Sequence, residues 1–146
     1  MVALALLAAI GVGLALVAGL WLLAHVEEPD GEDHPPGRPL PTREGPWVAS
    51  KGEQRIANWL TREGIAYVYE PTVAGGLTPD FRLEGTDVLI EYWGMAGQAS
   101  YEDRMAEKME IYEEHGYDVI GLFPVHVDEM GDVLERELTE REIDGP

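Results

Sequence analysis

Two carboxylates stand near the ends of two neighbouring segments that have the character of β-strands. Asp80 precedes the alternating apolar and polar residues 81–83, and Glu91 lies near the end of the β-rich run 87–93. If the two segments pair as a hairpin, Asp80 lies beside Glu91. Two such acids can hold a hard cation such as Mg²⁺, which keeps several waters and also takes phosphate oxygens. Alone, the two acids are more typical of a turn residue and a solvated strand residue.

The elements that must position these acids follow from turn residues and from the spacing of apolar residues. Ser50 and Glu53 are spaced as a capping box, which predicts the start of a helix that ends at Gly64. A second helix is expected from about Ser100 to Gly116. Strands are predicted at residues 65–69, 81–83, 87–93 and 117–123, and a final acidic helix at about 128–140. The predicted order is α-β-β-β-α-β-α, an α/β fold.

The first 24 residues contain no charged side chain and are rich in Ala, Leu, Val and Gly. At about 1.5 Å per residue, such a segment is long enough to cross a hydrocarbon core of roughly 30 Å. We therefore predict one N-terminal transmembrane helix, residues 1–26. A cleaved signal sequence fits less well, because no basic residue precedes the apolar run. Gly11, Ala15 and Gly19 recur every four residues, which would suit helix–helix contact in a homodimer.

Residues 27–46 are acidic and contain six of the ten prolines, which predicts an extended linker. Residues 47–146 then form the predicted folded domain. The short segment before the apolar run has no basic residue, whereas Arg38 and Arg43 follow it. By the positive-inside rule, this difference favours a single-pass membrane protein with a cytoplasmic domain.

The predicted domain carries eight basic residues against 22 acidic ones, a net charge of −14. In dilute buffer such a charge repels nucleic acid. In molar salt the Debye length falls to about 3 Å and the net charge hardly acts at a distance. The composition therefore indicates either a halophilic protein or one that does not bind nucleic acid. No cysteine is present, which excludes a disulfide framework and a cysteine nucleophile.

Three motifs in this order of elements resemble the PD-(D/E)XK nuclease superfamily, which has the restriction-endonuclease-like fold. They are Gly52-Glu53 in the first helix, Pro79-Asp80-Phe81 at one strand and Ile90-Glu91-Tyr92-Trp93-Gly94 at the next. The similarity covers about residues 51–123 and is greatest to very-short-patch-repair-type endonucleases and helicase-associated nuclease domains. It implies an αβββαβ core with a mixed sheet.

The resemblance also implies chemistry. Asp80 and Glu91 would bind Mg²⁺ or Mn²⁺, and Glu53 would reach the metal directly or through water, unless it only caps its helix. The implied activity is hydrolysis of phosphodiester bonds by a metal-dependent endonuclease, with DNA favoured over RNA.

The sequence departs from the family pattern at one position. The family's usual lysine stands two residues after the glutamate, where this chain has Trp93. Some branches supply the lysine from the next helix, and Lys108 is the candidate here; Gln98 is a weaker one. Alternatively, Lys108 and Arg104 pair with nearby helix glutamates. Two functions are therefore expected: a membrane-anchored nuclease, or a catalytically inactive nuclease fold that binds nucleic acid or a protein.

Overall fold

The computed structural model describes residues 39–143, which form a mixed α/β fold with a four-stranded mixed sheet and three helices. A two-stranded ribbon precedes this core. In chain order the elements are β1 (Leu40–Pro41), β2 (Trp47–Val48), α1 (Lys51–Arg62), β3 (Tyr67–Tyr69), β4 (Phe81–Leu83), β5 (Val88–Tyr92), α2 (Ala99–Glu114), β6 (Asp118–Leu122) and α3 (Met130–Glu140). Short 3₁₀ turns lie at Ala74–Gly76 and Pro124–His126.

The sheet has the strand order β3-β4-β5-β6. The first three strands are antiparallel neighbours, and β6 pairs with β5 in parallel. The parallel pair requires a crossover, which α2 supplies. Strands β4 and β5 form the predicted hairpin, with Phe81 opposite Ile90 and Arg82 opposite Leu89.

Helices cover both faces of the sheet. One core lies between the sheet and helices α1 and α3, and Ile56, Phe81, Ile90 and Leu134 belong to it. On the other face Tyr112 of α2 packs with Leu89 and Val73. Successive residues of β5 therefore point to opposite faces, as strand geometry requires. The side chains of Glu91 and Trp93 thus share the face that carries α2.

The α-β-β-β-α-β-α order predicted from residue 50 onward is confirmed. Two predicted starts were wrong. Helix α2 begins at Ala99 with Gln98 at its N-cap, so Ser100 does not cap it. Helix α3 begins at Met130 rather than near residue 128, because a 3₁₀ turn and further turn residues fill the segment after β6.

The ribbon of β1 and β2 was not predicted. Residues 40–46 were assigned to the linker, yet they contact α1. The Arg43 amide donates to Asn58 Oδ1 at 2.8 Å, and Gln54 Nε2 donates to the Pro41 carbonyl at 2.6 Å. The packed region therefore begins by Leu40.

The predicted transmembrane helix, residues 1–26, and most of the predicted linker lie outside the described residues. Within residues 39–143, no helix is both long enough and apolar enough to cross a membrane.

Gly52 in α1 allows this helix to approach β5 closely. A Cβ atom at this position would lie 2.3 Å from ring atoms of Tyr92, far inside contact distance. We expect Gly52→Ala to lower the free energy of unfolding by about 1–3 kcal/mol, because either the ring or the helix must move. Urea denaturation measures the change. The double variant with Tyr92→Leu should recover part of the loss, since leucine vacates the ring's space; a full loss in the double variant would contradict this explanation.

Candidate active site

The hairpin brings Asp80 and Glu91 to adjacent positions. Continuing the register beyond Phe81 and Ile90 sets these two residues opposite each other. The Tyr92 amide donates a hydrogen bond to Asp80 Oδ2 at 2.6 Å, which fixes the aspartate against β5. The two acids that define the candidate site are therefore held by the strand pairing rather than by a flexible loop.

Glu91 is buried, with only 3% of its side chain exposed. Its Oε1 accepts a hydrogen bond from the Tyr112 hydroxyl at 2.6 Å and lies 2.6 Å from Lys108 Nζ. A buried carboxylate is costly unless it is paired and hydrogen-bonded, and α2 supplies both partners. Both contacts involve Oε1, so within the described residues Oε2 has no hydrogen bond and is available to a ligand.

Lys108 is the lysine that the sequence analysis singled out on the second helix. Its side chain is 29% exposed, and its ammonium lies 5.3 Å from the centre of the Trp93 ring and 5.8 Å from that of Tyr112. Cation–π attraction to two rings adds to the ion pair with Glu91. The alternative pairing of Lys108 with a glutamate of its own helix is not observed. Trp93, at the motif position of the family lysine, thus packs against the lysine from α2.

Glu53 has a structural role at the start of α1. Its Oε2 accepts from the Tyr69 hydroxyl at 2.6 Å and the Ala49 amide at 3.0 Å, and its Oε1 accepts from Ser50 Oγ at 2.7 Å. Ser50 Oγ in turn accepts from the Glu53 amide, which completes the predicted cap. Both oxygens of Glu53 are already engaged, so this residue suits a water-mediated contact with a cation better than a direct one.

The electrostatics of the site centre on Asp80. Burial raises its pKa from 3.8 to about 7, and the negative charges of Glu91 and then Glu53 act in the same direction. The hydrogen bond from the Tyr92 amide opposes the shift, and so does the positive charge of Lys108. The free site therefore has more negative charge than its surroundings stabilise at neutral pH, and a cation beside Asp80 would relieve the imbalance.

Two tyrosines belong to the site although sequence reasoning gave them no role in it. Burial, followed by the hydrogen bond to Glu91, raises the pKa of Tyr112, so its hydroxyl stays a proton donor at neutral pH. Tyr101 packs edge-on against Trp93 at 6.3 Å between ring centres. Burial raises the pKa of Tyr101, and the charges of Asp80 and Glu91 raise it further. Both tyrosines lie at helical spacings from Lys108, and this spacing was the sequence signal that could have assigned them to the site.

Gln98, the weaker candidate for the lysine's role, is exposed at the N-cap of α2. Its carbonyl accepts the amides of Tyr101 and Glu102, and no side-chain contact links it to the carboxylates within the described residues. The structure thus brings Asp80, Glu91 and Lys108 together, and within residues 39–143 no contact joins Gln98 to them.

The donor set decides which cation fits. Among residues 39–143, no group of three or more His, Cys, Asp or Glu side chains is arranged to hold a metal ion. Asp80 and Glu91 remain as a pair of hard oxygen donors. Mg²⁺ is commonly bound by one or two carboxylates together with waters and substrate phosphates, so the pair fits Mg²⁺ or Mn²⁺ in the presence of a phosphate ligand.

The two best-defined cavities in the described part of the chain lie away from these residues. Each has a volume of about 420 Å³, and they flank Trp59 between α1 and α3. The carboxylates lie instead at the ends of the two central strands, on the face of the sheet that α2 covers.

No protein-family model, no curated protein and no solved structure matches this chain. The similarity to the PD-(D/E)XK superfamily therefore remains a prediction from motifs and element order.

Proposed function

We propose that this chain is a metal-dependent nuclease of the restriction-endonuclease-like fold that hydrolyses phosphodiester bonds, of DNA more readily than of RNA. In this proposal residues 1–26 anchor it in a membrane as a single-pass protein, with the folded domain in the cytoplasm. The acid-rich surface adapts the domain to high salt. A homodimer through the anchor is part of the proposal.

The observation that carries the proposal is the 2.6 Å contact between Lys108 Nζ and Glu91 Oε1. An aspartate, a glutamate and a lysine are the three residue types that the resemblance to the PD-(D/E)XK superfamily implies for metal-dependent phosphodiester hydrolysis. They come from three separate elements here, since Asp80 immediately precedes β4, Glu91 is in β5 and Lys108 is in α2. A lysine with no such task would be placed at lower cost in water, where ammonium groups are well hydrated.

Each residue has a definable task in this reaction. A bound Mg²⁺ or Mn²⁺ would polarise the scissile phosphate and lower the pKa of a water molecule. Asp80 and Glu91 would hold the cation. Lys108 orients the attacking water or stabilises the negative charge that develops on the phosphate. Tyr112 keeps the Glu91 carboxylate in place through its hydrogen bond to Oε1.

Element order supports the fold assignment within the proposal. The core from α1 to β6 has the order αβββαβ, with antiparallel neighbours followed by a parallel pair. The hairpin sets the two acids side by side, and the crossover helix α2 brings the lysine to them. These placements support the assignment to a branch that supplies the lysine from the helix.

The test is cleavage of plasmid and single-stranded DNA by the full chain in detergent micelles, with Mg²⁺ or Mn²⁺, from low salt to molar KCl. We expect cleavage that needs the divalent cation and is lost in Glu91→Ala. Circular dichroism must show that the variant is folded. An unfolding midpoint that fails to rise between low and molar KCl would contradict the salt adaptation.

A second candidate function rests on a specific observation. Glu91 Oε1 and both oxygens of Glu53 already accept hydrogen bonds or an ion pair from the protein, so these three oxygens are satisfied without a metal. A catalytically inactive nuclease fold that binds nucleic acid or a protein partner would have this property. Absence of cleavage from a folded chain at every salt concentration, with DNA binding that needs no metal, would favour this function.

A further inference from the structure

Most arginines in the described part of this acidic chain are paired with carboxylates. An aspartate or glutamate oxygen lies within 4 Å of four of them, namely Arg62, Arg82, Arg136 and Arg141. Arg43, Arg55 and Arg104 form no ion pair within residues 39–143, and of these three only Arg104 lies on α2, one turn before Lys108. The Nε of Arg104 donates to the Ser100 carbonyl at 3.2 Å. Its two terminal nitrogens therefore remain available to an anion.

The position of Arg104 links it to the carboxylate site. It precedes Lys108 by one helical turn, so the two cations lie on the same side of α2. The guanidinium lies 5.8 Å from the centre of the Tyr101 ring. That ring packs edge-on against Trp93, which contacts Lys108 in turn. A continuous row of side chains thus runs from exposed Arg104 to the lysine beside Glu91.

We propose that Arg104 binds a backbone phosphate of the nucleic-acid strand, next to the phosphate that is cut. This inference rests on the proposed nuclease function and extends it to the binding of the substrate. A guanidinium offers two parallel N–H donors to a phosphate, and the Tyr101 ring restricts its orientation in advance. Arg104 and Lys108 are four residues apart, about 6 Å along the helix axis, so one strand could reach both side chains.

The charge of the domain gives this arginine its importance. A polyanion is repelled by most of a surface with a net charge of −14, and it binds where a cation is not neutralised by a neighbouring carboxylate. Lys108 is partly neutralised by Glu91, whereas Arg104 is not paired. Arg104 therefore supplies positive charge at the edge of the site without disturbing the carboxylates.

The experiment compares Arg104→Gln with the wild-type full chain in detergent micelles. The probe is a short fluorescein-labelled DNA duplex, used for binding and for cleavage at several KCl concentrations at which circular dichroism shows a folded protein. We expect KM to rise about tenfold with kcat within about twofold, which corresponds to the loss of one charged contact. The slope of log affinity against log salt should become shallower by about 1. Arg104→Lys should restore part of the affinity.

Arg136→Gln is the matched control, because Arg136 is exposed and paired with Glu137 on α3. It should change neither KM nor the salt slope. An unchanged KM and slope in Arg104→Gln, with cleavage intact, would overturn the inference and leave the nuclease standing. A fall in kcat at constant KM would also overturn it, since it would mean a role in the chemical step. If the wild type binds DNA without cutting it and Arg104→Gln still lowers the slope, the phosphate contact stands and the nuclease fails.

Discussion

Replacing Lys108 with methionine is expected to slow metal-dependent DNA cleavage by about 10²- to 10³-fold, the usual effect of losing one charged group that stabilises a transition state. Methionine matches the length of the lysine stem but carries no charge. The Lys108 ammonium, 2.6 Å from Glu91, is the only lysine nitrogen that contacts the carboxylate pair among the described residues. The loss should appear in kcat, measured by single-turnover cleavage of a labelled duplex.

Controls separate chemistry from folding. The chain has only two lysines, and replacing the other, Lys51→Met at the exposed first residue of α1, should leave the rate unchanged. Lys108→Met also leaves Glu91 buried without its cation, so the unfolding midpoint must be measured beside the rate. A folded Lys108→Met that cuts at the wild-type rate would remove this lysine from the proposed mechanism.

A second variant asks whether a lysine is needed in this place, whichever element supplies it. Trp93 stands two residues after Glu91 on the same face of β5, where the family pattern has its lysine. We expect Trp93→Lys, added to Lys108→Met, to restore at least tenfold of the lost rate. Trp93→Met, added to Lys108→Met, should restore none of the lost rate. Equal cleavage rates of the two double variants would contradict the proposal that Lys108 replaces a lysine at position 93.

Asp80→Asn is expected to abolish cleavage and, in the absence of divalent cations, to make the protein more stable above neutral pH. The pKa of Asp80 is raised from 3.8 to about 7 by burial and by Glu91. At pH values between 3.8 and about 7, this carboxyl is therefore protonated more often in the folded state than in the unfolded state. The free energy of unfolding therefore falls as the pH rises from about 4 to about 7, by up to about 4 kcal/mol.

Urea denaturation at several pH values, with a chelator present, measures this dependence. The wild type should lose stability across that pH window, and Asp80→Asn should lose less. At pH 8, adding Mn²⁺ should raise the melting midpoint of the wild type and not that of Asp80→Asn, because a ligand that binds the folded state stabilises it. Equal Mn²⁺ effects on both proteins would show that Asp80 does not hold the cation. Asp87→Asn is the control, since Asp87 is exposed and lies next to the turn, at the end of the β4–β5 hairpin opposite to Asp80.

Local signals were sufficient to predict the elements of the core. Each of these signals acts within a few residues, so its consequence is visible in the sequence. They are the cap formed by Ser50 and Glu53, the turn between β4 and β5, and the glycines that follow α1 and α2. The same signals misplaced the start of α2, because Ser100 is a favourable cap and Gln98 is not. The β1–β2 ribbon was missed because Leu40–Pro41 lies within a proline-rich, acidic segment.

The composition of the site was only partly predictable. Strand alternation and the hairpin give the pairing of Asp80 with Glu91. Helical spacing places Tyr101, Lys108 and Tyr112 on one side of α2, yet it does not say which strand that side meets. The contacts of Lys108 and Tyr112 with Glu91 depend on how the crossover helix packs on the sheet, which is a tertiary effect.

The ribbon that begins at Leu40 also sets a distance limit. With residues 1–26 as the predicted anchor, only residues 27–39 separate the bilayer from the first packed strand. A proline-rich chain of 13 residues can span at most roughly 40 Å at about 3.1 Å per residue. If residues 1–26 anchor the chain as we propose, the candidate site would lie in a thin layer next to the membrane, where tethering raises the effective concentration of a membrane-associated strand. A nuclease tethered in this way would select its targets by their location more than by their sequence.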